Sequence, residues 1–110
     1  SDPSDGSSRE GAAAQLTKHP LINNQTTPAS AGGKFYSQLQ GFVNKTHQGD
    51  PRHDTSDFRD NVVGNLRLDY CLPAKTLKLE ASGVFWPPAD DADAELTRAS
   101  DHRLVWIDVK

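Results

Sequence analysis

A chain of 110 residues with a formal net charge of −3 and 35 % hydrophobic residues makes one lean domain or one piece of a larger one. The acidic balance argues against a broad electrostatic grip on nucleic acid, which needs clustered Lys and Arg, but allows an enzyme that handles phosphates through a bound metal. No apolar run approaches the ~20 residues of a membrane span, no basic-then-apolar start resembles a signal peptide, and the lone Cys71 cannot form an internal disulfide.

SDPSDGSSREG opens the chain as a turn-rich loop. Ser7 followed by Glu10 fits a capping box, predicting a helix over Ser8 to His19 with Ala12, Ala13 and Leu16 on its apolar face and Pro20 ending it. LINNQTTPASAGG reads as a loop with a short extended piece at Leu21-Ile22. Phe42-Val43 and Thr46-His47 predict a short strand interrupted by Asn44 and Lys45. Asn24 and Asn44 each open a glycosylation triplet, a pattern common by chance.

QGDPRHDTSDFRDNVVGN reads as a long polar connection, and connections of more than ~12–15 residues are often functional. In NLRLDYCLP, Leu66, Leu68, Tyr70 and Leu72 alternate with Arg67, Asp69 and Cys71, which predicts a strand ended by Pro73. Cys71, inside that strand, is expected as a buried small hydrophobe. LKLEASGVFW predicts another strand, with Gly83 as its bulge or bend and Pro87-Pro88 as its end. PADDADAELTRAS reads as a solvated acidic loop or one short helical turn, and a final strand of Leu104 to Ile107 with Val109 begins near Arg103. Strands joined by non-helical loops, with one N-terminal helix, define an α+β chain of mainly antiparallel strands. A chain of this size buries only ~60–65 % of its unfolded surface, so incomplete burial is expected.

Candidate chemistry lies in three places. Asp69 stands mid-strand, opposite the apolar face, and is either a solvated outer carboxylate or one held to orient a histidine. His102 is the natural partner. Asp101 and His102 are neighbours in an extended segment and so diverge: Asp101 is placed for a metal, His102 for a reacting group, or both are ordinary polar residues at a strand start. Ser100 is expected to fix the turn ahead of them. His47, Asp50, His53, Asp54 and Asp57 form a third group, read as a metal site, a substrate-side loop or a solvated connection.

The pair LRLDY and SDHRLVW resembles the C-terminal signature of the endonuclease/exonuclease/phosphatase superfamily, which includes DNase I-like nucleases, sphingomyelinases and inositol-phosphate phosphatases. GNLRLDYCLP, SGVFWP and ASDHRLVW together resemble a bacterial branch common in large exported proteins. The resemblance implies part of a DNase I-like α/β sandwich and metal-assisted hydrolysis of a phosphoester by in-line attack of water. In it His102 resembles the histidine at the scissile phosphate, Asp69 the aspartate that orients it, and Asp101 the carboxylate near or on a divalent cation, magnesium or another. Asn65 and Arg67 flank that site, and His47 resembles a strand-end position lining the pocket.

The same resemblance implies an asparagine, a metal-binding glutamate and an Asp-x-Asn pair that residues 1–110 do not contain; Asp2 cannot replace the last, because Pro3 follows it. Residues 1–110 are therefore expected to be the C-terminal portion of such a domain, inactive alone. The expected partners are a phosphoester substrate, the missing N-terminal half and a second copy through an exposed sheet face. An extracellular or periplasmic setting is implied. Arg52, Arg59, Arg67, Arg98 and Arg103 are a thin basic supply, leaning towards a small or lipid-like substrate. A non-catalytic interaction module that retains the fold is the alternative, and an accidental likeness the third reading.

Overall fold

In the computed structural model the described residues are 11–110; the SDPSDG opening and the Ser7–Glu10 capping box lie outside them. Helix α1 covers Gly11–Thr17, and Leu16 on it is 57 % exposed, so the helix adds little to the core. Of the extended piece expected at Leu21-Ile22, Ile22 forms an isolated bridge while Leu21 lies in a turn. Ile22 bridges Ala74, Asn23 N–H donates to the Pro73 carbonyl and Lys75 N–H to that of Leu21.

A second helix, α2, spans Ala31–Gln40 where a single N-terminal helix was expected. Ser30 caps it by accepting from Gly33 N–H at 3.0 Å. Its Gly32-Gly33 start reads as a turn because glycine disfavours helix interiors. Both are buried, however, and a Cβ on Gly32 would run into the Trp86 carbonyl. Those glycines let the helix approach another backbone closely. At Gly41, with φ +64°, α2 ends, and Phe42 follows at φ 50°. This left-handed pair turns the chain into a 3-10 helix over Phe42–Thr46 in place of the expected strand.

The polar stretch expected to be a long connection is the centre of the molecule. After a 3-10 turn at Pro51–His53, strand β1 (Ser56–Asp57) pairs antiparallel with β2 (Asn65–Leu66). On its other side Ser56 bridges His102, with Arg103 N–H donating to the Thr55 carbonyl and Asp57 N–H to that of Asp101. Among the described residues, Asp54, Thr55, Ser56 and Asn65 are the largest side chains buried completely, and the buried hydrophobic ones are Leu66, Val84 and Trp86. Thr55 and Ser56 are held in this centre by hydrogen bonds of their hydroxyls, to Asp69 Oδ2 and to the Leu66 carbonyl.

The ladder expected over residues 66–72 stops at Leu66. Beyond it, the N–H groups of Leu68 and Asp69 both donate to Thr55 Oγ1 at 2.9 Å, replacing strand-to-strand bonds. Leu68 is 39 % exposed, and Cys71 is half-buried outside any strand, its thiol directed at the Val105 carbonyl.

Strands β3 (Leu79–Phe85) and β4 (Leu104–Val109) form the second antiparallel pair. Its irregularity falls between Leu79 and Ala81, not at Gly83, which pairs in register with Trp106. Gly83 instead makes room for that indole, which a Cβ would meet at 2.8 Å. Between these strands the acidic segment forms a 3-10 helix, Ala92–Ala99, with Asp90, Asp91, Asp93 and Glu95 exposed as expected. The chain is a small mixed α+β domain with two short antiparallel sheets and several helices. Among the described residues, no helix is long and apolar enough to cross a membrane.

Candidate active site

His102 sits where β1 meets the run into β4, and Asp69 lies just past β2. The packing of both segments against Thr55 and Ser56 brings the two side chains together. His102 Nδ1 is 2.8 Å from Asp69 Oδ2 and 3.1 Å from Oδ1. An ionised carboxylate only accepts, so Nδ1 carries the hydrogen, and in the neutral imidazole the lone pair is then on Nε2. The ring is also held edge-on by Phe58, with centroids 5.9 Å apart. Ser100 Oγ accepts from His102 N–H at 3.0 Å, the turn-fixing contact expected of it. His102 is half exposed and Asp69 is 37 % exposed, so the pair is reachable by a solute.

Asp101 diverges from His102, as the extended backbone requires. It faces a cavity with Asp57, Tyr36 and Glu95 and a second one with Phe58, Arg59 and Val62. Asp57 is half-buried, and that burial, reinforced by the charges of Asp60 and Asp101, pushes its carboxyl above the ordinary value. Gln40 donates to its Oδ1 at 3.0 Å, and Arg103 Nη2 stands 3.2 Å from its Oδ2.

Arg103 is buried, with its guanidinium 4.6 Å from the centroid of the Trp86 ring. Burial lowers its pKa against the pull of Asp57 and Asp101. Its Nη1 donates to the carbonyls of Ser100 at 2.6 Å and of Thr97 and His102 at 3.3 Å. Arg103 thereby fixes the backbone that carries Asp101 and His102.

The remaining sequence candidates are placed differently. Asn65 is fully buried, its side-chain amide donating to Gln40 Oε1 at 2.8 Å and its backbone N–H to Asn44 Oδ1 at 2.7 Å. Asn44, one of the two glycosylation triplets, is thus an internal hydrogen-bonding residue, whereas Asn24 is exposed. Arg67 stacks over Tyr70 at 4.4 Å, with burial lowering its pKa. His47 caps the end of the 3-10 helix Phe42–Thr46 rather than a strand.

The group from His47 to Asp57 does not converge as one cluster, although His53 Nε2 and Asp50 Oδ2 stand 4.0 Å apart. Asp50 pairs with Arg52 at 2.6 Å, and that hydrogen-bonded guanidinium holds its carboxyl well below the ordinary range. His53 Nδ1 bonds the Pro28 carbonyl at 2.8 Å, and Asp57 joins Gln40 and Arg103. Among the described residues no three or more His, Cys, Asp or Glu side chains come together to hold a metal ion. Asp101 shares its cavity with the carboxylates of Asp57 and Glu95.

Residue-pattern reasoning missed Thr55, Phe58, Gln40 and the structural role of Arg103. Thr55 and Phe58 lie in a segment without apolar alternation that reaches the site through the pairing of β1, whereas Gln40 reaches Asp57 from the end of α2. No family model, no curated protein and no solved structure matches the chain.

Proposed function

We propose that this chain is the C-terminal segment of a divalent-metal-dependent phosphoester hydrolase, with His102 and Asp69 as its proton-transfer pair. The observation that carries the reading is the Asp69–His102 hydrogen bond of 2.8 Å, formed between the two residues that the superfamily resemblance pairs. With Nδ1–H held by Asp69, Nε2 can accept a proton from an attacking water or, once protonated, deliver one to the leaving oxygen. The carboxylate fixes the ring and stabilises the imidazolium formed in that step.

A divalent cation, magnesium or another, belongs to this reading because it would stabilise charge on the phosphoryl oxygens. Asp101 is the ligand this chain would contribute. The described residues do not complete such a site, so the proposal includes a complementary half of the domain that supplies the remaining ligands. Together the halves would form the DNase I-like sandwich, in an extracellular or periplasmic setting. Alone, the chain is proposed to be nearly inert, since preorganised charge carries this chemistry.

The runner-up is a non-catalytic interaction module. It draws on the exposed apolar side chains of β4, Leu104 at 67 % and Trp106 at 43 %. Magnesium-dependent hydrolysis of bis(4-nitrophenyl) phosphate, by the chain extended upstream through the complementary half, separates the two. The hydrolase reading expects turnover that His102→Ala abolishes. No turnover with any of several divalent metals, on mono- and diesters, supports the interaction module.

A further inference from the structure

Thr55 is bonded to both segments that carry the pair. Its backbone N–H donates to Leu66 O at 2.8 Å, on the Asp69 side, and its carbonyl accepts from Arg103 N–H at 2.7 Å, on the His102 side. The side chain is 1 % exposed. A threonine hydroxyl has two acceptor lone pairs and one hydrogen. Here both lone pairs are taken by the N–H groups of Leu68 and Asp69, each at 2.9 Å. The hydrogen is thereby directed at the remaining neighbour, Asp69 Oδ2, 2.8 Å away. That same oxygen receives Nδ1–H of His102 at 2.8 Å.

We propose that Thr55 is a positioning residue for the Asp69–His102 pair, its hydroxyl fixing the rotation of the carboxylate and, through it, the Nδ1–H tautomer of His102. This rests on the reading of the pair as the proton-transfer unit. A donor held in one direction holds the carboxylate plane: turning Asp69 about its last bond would surrender the hydroxyl hydrogen bond, which is charge-assisted and buried on the threonine side. Without it, the carboxylate is free to leave Nδ1, and the imidazole is free to take the other tautomer, which presents N–H where the mechanism needs a lone pair.

The test compares wild type, Thr55→Ser and Thr55→Val by nitrogen-15 NMR of the His102 ring, without substrate and above the ordinary imidazole range, at about pH 8.5. The expected result is the Nδ1–H tautomer in wild type and Thr55→Ser, and a mixture of tautomers in a folded Thr55→Val. In the hydrolysis assay, Thr55→Val is expected to lower kcat by ~10–100-fold, the scale of losing a partner that orients a functional side chain, with KM little changed and Thr55→Ser restoring the rate. A folded Thr55→Val whose His102 stays entirely Nδ1–H overturns the proposal.

Thr55→Val leaves two N–H groups without their acceptor and can fail to fold. The wild-type hydroxyl then decides: a slowly exchanging Thr55 hydroxyl proton close to the His102 ring N–H supports the proposal, and exchange at the rate of an exposed threonine overturns it. The tautomer is read without turnover, so an inactive enzyme would defeat the phosphoesterase reading and leave this result standing.

Discussion

His102 Nδ1 and Asp69 Oδ2 meet at 2.8 Å although 33 positions separate their residues. Neither lies within a long ladder. The pair is assembled by the short polar segment Thr55–Asp57, which bonds to the Leu66 side in one direction and to residues 101–103 in the other. Burying the hydroxyls of Thr55 and Ser56 there is tolerable because both are hydrogen-bonded within the fold. The centre that supports the proposed chemistry is consequently also what specifies the fold.

The close approach of α2 to Trp86 makes Gly32 a more demanding position than Gly83. A Cβ on Gly32 meets the Trp86 backbone carbonyl, whereas one on Gly83 meets the Trp106 indole at 2.8 Å. Backbone cannot step aside, but Trp106 is 43 % exposed and can. Gly32→Ala is expected to destabilise by ~3 kcal/mol, the upper end of overpacking effects, and Gly83→Ala by ~1 kcal/mol. Urea unfolding of both variants checks the order. Equal losses would show that the helix backbone yields as readily as a side chain.

Asp57 gives the stability a pH dependence of defined sign. Burial raises its native pKa above the ordinary 3.8, so the folded state binds the proton more tightly than the unfolded one. Its favourable contribution is full below 3.8 and is lost as pH rises through the raised value. The stability of wild type relative to Asp57→Asn should therefore fall as pH rises from the ordinary aspartate range towards neutrality. Asp50, held low by Arg52, acts in the opposite sense: its contribution is present above 3.8 and is lost as pH falls towards the depressed native value. Denaturant midpoints of wild type, Asp57→Asn and Asp50→Asn on both sides of pH 3.8 test this. A wild-type advantage over Asp57→Asn that grows with pH would reverse the assignment.

The exposed side chains of β4 bear on the proposed self-association. Leu104 is 67 % exposed and can be changed at little cost to the fold, within ~0.5 kcal/mol for a surface position. Leu104→Lys is expected to weaken both self-association in sedimentation and binding of a hydrophobic dye. A wild-type chain that sediments as a monomer and binds no dye contradicts this.

Much of the C-terminal half was legible in the sequence, because it is written in apolar alternation. Leu104 to Val109 forms the expected strand, the strand before Phe85 is present, and Ser100 holds the turn. The Asp69–His102 pairing was legible as well, through motif resemblance and not through spacing alone. The centre was not, because Thr55, Ser56 and Asn65 are buried by hydrogen bonding, which leaves no hydrophobic period to read. The NLRLDYCLP alternation misled for a related reason: the Thr55 hydroxyl satisfies the backbone where a neighbouring strand would have. Helix α2 was hidden by Gly32-Gly33, whose buried packing against Trp86 and Pro51 outweighs their poor helix propensity.

Whether Asp69 and His102 work as one unit is tested most directly by a double-mutant cycle on phosphodiester hydrolysis, in the chain joined to the proposed complementary half, using His102→Ala, Asp69→Asn and both together. Loss of the general acid–base group is expected to lower kcat by ~10²–10⁴-fold. If Asp69 acts only through His102, the double variant is no slower than His102→Ala alone. Losses that multiply would contradict the account, by showing that the two side chains contribute separately.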